Sequence, residues 1–118
     1  MASKCRGTQE YLIVYAELIN AARCRGTVTY TEIAEIMGLP PTDHYMGAEV
    51  GHMAGEISEA EHANGRPLLG ALAVSGVTGS VGSGFFVLAR RLGKLQGTTP
   101  NEERHCWKQE RAAVYETW

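Results

Sequence analysis

The first strong pattern along the chain is helical. Tyr11, Leu12, Val14, Tyr15, Leu18, Ile19 and Ala22 recur at three- and four-residue spacing, which predicts an amphipathic helix over 8–22 with Thr8 as its N-cap. Gly26 ends the Arg23-Cys24-Arg25 segment in a turn. Thr27-Val28-Thr29-Tyr30 is β-branched and aromatic and predicts a short strand. Thr31 then caps a second helix, 32–37, which Gly38 closes and Leu39-Pro40-Pro41 prevents from continuing. A third helix is expected from a cap at Thr42 or Asp43 to about Ala63, with Met46, Val50, Met53 and Ile57 as its apolar stripe.

Asn64-Gly65 marks the end of that helix. The continuous apolar run 68–74 reads as a buried strand, and the glycine-rich stretch 75–84 as a turn or wing. A short helix is expected over 85–92, ended by Gly93. After the Gly97–Pro100 turn, Asn101 caps a last helix to about Thr117, with Cys106, Trp107, Val114 and Tyr115 as packing residues. No repeat and no linker divides the 118 residues, so one α+β domain is predicted over 1–118. Its core is 8–95, and 101–117 is an extra C-terminal helix.

Composition excludes some classes. With 44% hydrophobic residues the chain is not a disordered tail, and its apolar runs are too short to span a bilayer. Met1–Arg6 has no apolar run behind it, so no signal peptide is expected and a cytoplasmic location follows. Cys5, Cys24 and Cys106 form no C-x-x-C pair, which suits reduced thiols. Eleven basic residues against thirteen acidic ones give a net charge of −2. Between Arg25 and Arg66 there is no Lys or Arg, while that stretch holds seven acids. General nucleic-acid binders carry a basic excess, which this chain lacks.

The order of elements is that of a winged helix. Gly26–Ala34, then Met46–Met53, then Arg66-Pro67-Leu68-Leu69, together with Gly79, Gly82 and Gly84, resemble the C-terminal domain of O6-alkylguanine-DNA alkyltransferases and the alkyltransferase-like proteins. The resemblance covers 8–95. It implies a small winged-helix-like domain and assigns Tyr30 to the family's phosphate-contacting tyrosine. It also shows two departures. Where the family has its Pro-Cys-His-Arg motif, this chain reads Ala71-Leu72-Ala73-Val74-Ser75, so the alkyl-accepting thiolate is absent. Where the family inserts an arginine from its recognition helix, this chain reads Gly47-Ala48-Glu49.

The third helix carries two further patterns. On a helical wheel Glu49, His52, Glu56 and Glu59 fall opposite Val50. They read either as a solvated acidic face or as a divalent-metal site of a hydrolase using His52, Glu56 and Glu59, with His62 beyond. The three acids of this face, aimed at phosphates, also repel a duplex. Glu61 falls near the apolar stripe, where Arg66 is a suitable partner. Gly47, Gly51 and Gly55 repeat every four residues, although each costs about 1 kcal/mol against alanine. They imply close approach of a backbone, either helix 1 or the second strand, or else a twofold copy of the chain.

The 75–84 loop has neither a phosphate-loop signature nor a nucleophile elbow. Glycine amides ahead of a helix can still face an anion. The nucleic-acid-binding candidates are therefore Tyr30, Arg66, Ser80, Ser83, Arg90, Arg91 and Lys94. The expected function is a non-catalytic binding module without cofactor, touching nucleic acid weakly through the wing and the Arg90/Arg91/Lys94 patch. A protein–protein assembly role and a homodimer through the glycine stripe or the aromatic C-terminal helix are the other readings.

Overall fold

The computed structural model describes residues 7–40 and 46–118, Met46 only in its backbone. Among them are five helices: α1 (Gln9–Arg23), α2 (Tyr30–Ile36), α3 (Met46–Ala63), α4 (Ser83–Arg91) and α5 (Pro100–Thr117). Two short strands, β1 (Val28–Thr29) and β2 (Ala73–Val74), pair in parallel, Val28 opposite Ala73 and Thr29 opposite Val74. A parallel pair requires a crossover, which α2 and α3 supply. The chain is thus mostly helical with a minimal sheet. No helix among the described residues is long and apolar enough to cross a membrane.

Helix starts follow local chemistry. Thr8 caps α1 by accepting from the Tyr11 amide at 3.1 Å. Two threonines form full capping boxes, Thr29 with Glu32 and Thr99 with Glu102. These correct the expected caps at Thr31 and Asn101. Thr31 lies inside α2, and Asn101 follows Pro100 within the first turn of α5, where proline's missing N–H costs nothing. The expected α3 cap at Thr42 or Asp43 lies outside the described residues.

The run 68–74 is not one strand. Leu69–Leu72 is a turn of 3₁₀ helix and only Ala73–Val74 is extended. The Gly70 amide donates to Ser58 Oγ at 2.8 Å and the Ala71 amide to the Leu68 carbonyl, so neither is free for a ladder. A continuous apolar run signals burial without specifying its conformation, and Leu68 through Val74 are indeed buried.

This 3₁₀ turn is the hub of the fold, packing against α1, α3 and α5. On one side Val14, Leu18, Ile33, Val50, Met53, Ile57, Leu69, Leu72 and Val114 form the larger core. On the other, Leu68, Ala71, Val74, Phe85, Ala89, Leu95 and Trp107 form a second one beneath α4 and α5. Trp107 donates from its indole N–H to the Ala71 carbonyl at 2.9 Å. The C-terminal helix therefore folds back on its own chain. Its aromatic residues pack on the chain itself: Trp107 is buried, Tyr115 donates to the Gly26 carbonyl, and Trp118 packs on the larger core.

Candidate functional site

The glycines of α3 line an open groove on the surface. A Cβ placed on Gly47, Gly51 or Gly55 would meet nothing within 4 Å. The expected close packing against α1 or the second strand is thus absent, because α1 and the 3₁₀ turn dock on other faces of α3. The stripe instead floors a groove. Gly82, Ser83 and Gly84 at the start of α4 form one wall, and Tyr30 and His52 line it further. This part encloses about 590 Å³, the size of a small-molecule pocket. The groove continues past Gly55 between Glu56, Glu59, Val87, Leu88 and Arg91.

The ionisable side chains along the groove are paired with one another. His52 Nε2 lies 2.7 Å from Glu56 Oε2, and Arg91 pairs with Glu59. The expected acidic face is split by this arrangement. Glu56 is buried, since α2 and α4 flank α3 and leave it a narrow exposed strip. His52 and Glu56 come together, but Glu59 is held by a cation. Among the described residues no group of three His, Cys, Asp or Glu is placed to hold a metal. His62 on the last turn joins no such group.

Tyr30 begins α2, and its hydroxyl faces the Gly82 amide at the start of α4. Burial pushes its pKa up, and the Gly82 amide partly opposes this. A Cβ on Gly82 would lie 2.7 Å from that hydroxyl, so glycine is required there. Ser83 is exposed on the first turn of α4 and lines the groove. Ser80 sits in the 75–82 loop, where the Ser75 amide donates to its carbonyl at 2.9 Å. That loop closes as a compact turn, with no strand pairing, and carries Val77 at 95% exposure on its tip.

The remaining basic candidates are not a free patch. Arg90 donates to Glu103 at 2.6 Å and to the Gly97 carbonyl at 3.0 Å. Lys94 pairs with Glu110 at 3.1 Å and Arg91 with Glu59. Arg66 is bound to Glu61 at 2.8 Å through Nε and stacks over Trp118. The expected Arg90/Arg91/Lys94 patch is therefore neutralised, because docking of α5 brings Glu103 and Glu110 onto the basic end of α4.

The cations that keep their charge exposed are elsewhere. Arg104 and Lys108 on α5, Arg23 at the end of α1 and Arg25 after it are exposed and have no ion-pair partner among the described residues. Arg111 stacks on Trp107, 4.7 Å from the ring centre. Sequence reasoning passed over the α5 members. Their spacing of four and three residues was the available signal.

Of the thiols, Cys24 is exposed and Cys106 is buried. Burial, then the nearby Glu110 carboxylate, push the Cys106 thiol up, away from nucleophilic character. Neither cysteine lines the groove, and Cys5 lies outside the described residues.

Comparison with protein-family models, curated proteins and solved structures finds no match to this chain.

Proposed function

We propose that the chain is a non-catalytic, winged-helix-like binding module that receives a flat, uncharged ring in the groove between α3 and α4, as part of a nucleic acid. The observation that carries this is the glycine floor. The helix-interior Gly51 and Gly55 cost about 1 kcal/mol each, Gly47 stands in the first turn, and nothing in the fold occupies the room the three leave. A floor of bare backbone with a tyrosine alongside suits a planar group lying flat. His52 is paired with Glu56 and Arg91 with Glu59, so the groove presents no unpaired cation to a phosphate. The alkylated guanine of the resembled family is one such ring. The groove lining offers no thiol to accept its alkyl group, so binding without transfer follows.

The test is fluorescence anisotropy with a short oligonucleotide carrying one O6-methylguanine, against the same strand with guanine. A preference of about tenfold, or about 1.4 kcal/mol, is expected, and Gly51→Leu should abolish it by filling the floor. Equal binding of the two strands, or a preference surviving Gly51→Leu, would overturn the reading. Intact-mass measurement after incubation should show no added methyl group.

A further inference from the structure

The charges of α5 are sorted onto its two edges. With Trp107 and Val114 facing the cores, Glu103 and Glu110 lie on one flank and engage Arg90 and Lys94. Arg104, Lys108 and Arg111 follow at intervals of four and three, all within roughly 60° of one another on the other flank. The acids are engaged by α4, and the basic edge has no ion-pair partner among the described residues. Tyr115 continues that edge, and its hydroxyl donates to the Gly26 carbonyl at 2.7 Å. This bond fastens the turn after α1 to the end of the stripe. It brings the backbone at Arg25, which is exposed and in a left-handed conformation at φ 56°, to the Tyr115 end of that edge, with the exposed Arg23 two residues before it. Neither helix alone carries this row of cations.

We propose that the Arg104–Lys108–Arg111 edge of α5, extended by Arg23 and Arg25, is a surface for the phosphodiester backbone of a nucleic acid. This rests on the partner being a nucleic acid, as the groove reading holds, and supplies the phosphate contacts that α3 and α4 cannot make. From Arg104 to Arg111 the row spans about 10 Å along the helix. Guanidinium groups fork onto phosphate oxygens, and Arg111 is already held over Trp107. The apolar surface separates this partner from an acidic protein. Among the described residues the large exposed hydrophobic ones are Leu12, Ile13, Val77 and Val87, none of them on α5 or in the turn after α1. A protein interface needs a desolvated apolar or aromatic anchor at its centre, whereas backbone neutralisation does not.

The experiment is the salt dependence of binding to a short labelled duplex without alkylated bases, between about 50 and 200 mM salt. Each cation withdrawn from a phosphate lowers the slope of log affinity against log salt by about one. Arg104→Gln with Lys108→Gln should lower it by about two and weaken binding severalfold at the lowest salt. Both side chains are exposed, so the thermal midpoint should stay at the wild-type value. Lys94→Gln, which removes an already paired cation, should leave the slope unchanged. A double variant with the wild-type slope would overturn the proposal, as would a wild-type protein that binds no duplex at low salt. Displacement of the duplex by polyglutamate at equal charge would also overturn it, by showing a surface for acidic chains. The groove is judged separately, by the discrimination between alkylated and plain strands at fixed salt.

Discussion

Arg66 closes on Glu61 through Nε at 2.8 Å and Nη2 at 2.5 Å, both to the same carboxylate oxygen. Tyr15 donates to that oxygen as well, at 2.8 Å. Glu61 is fully buried, and its other oxygen has no partner among the described residues. The cluster joins α1, the end of α3 and, through Trp118 against Arg66, the end of α5. Arg66→Ala should therefore leave the Glu61 carboxylate buried without its cation and destabilise the fold. Glu61→Leu combined with Arg66→Met should recover most of that stability. Urea unfolding of the two variants measures the difference.

The same cluster sets an alkaline signature. Burial of Tyr15 and its bond to Glu61 push its pKa up to about 12. The folded value lies above the unfolded one of about 10. The stabilisation is thus complete below pH 10 and is lost as the pH rises toward 12. A spectrophotometric titration should show late steps from Tyr15 and from the partly buried Tyr30, and Tyr15→Phe should remove the step near pH 12. A step near pH 12 that survives in Tyr15→Phe would overturn the assignment.

Glycines separate by what surrounds them. Gly51→Ala and Gly55→Ala meet open space and should each stabilise the fold by up to about 1 kcal/mol. Gly70→Ala places its Cβ 2.6 Å from Ser58 Oγ and 3.5 Å from the Ala54 carbonyl. It should destabilise by about 1–3 kcal/mol, by overpacking the hub and disturbing the Ser58–Gly70 hydrogen bond. In thermal melts the two α3 variants should move up and Gly70→Ala down.

The start of α5 depends on its capping box. Thr99→Ala should cost about 1 kcal/mol. The Thr99 hydroxyl and amide hold the Glu102 carboxyl below its usual range. A depressed folded pKa adds stability above the unfolded value of about 4.3, lost as the pH falls through the folded value. In Thr99→Ala the acid limb of the stability profile should be shallower. An unchanged limb would show that the box contributes no acid-sensitive stability.

The local pattern of the chain was enough to place all five helices, because periodicity, caps and glycine stops act within a few residues. The partnership of Glu61 and Arg66 was legible for the same reason, being five residues apart. Both capping boxes were written as T-x-x-E, even where the neighbouring Thr31 and Asn101 drew attention first. Only the tertiary structure decided where charge remains. Arg90, Lys94 and Arg91 meet acids 13, 16 and 32 residues away, and those pairings depend on how α5 and α3 dock against α4. It also decided that the glycine stripe faces open space and that the C-terminal aromatics turn inward. A helix wheel records which residues share a face. Which faces are covered depends on packing around the 3₁₀ turn at 69–72, whose apolar run fixes its burial and leaves its geometry to its neighbours.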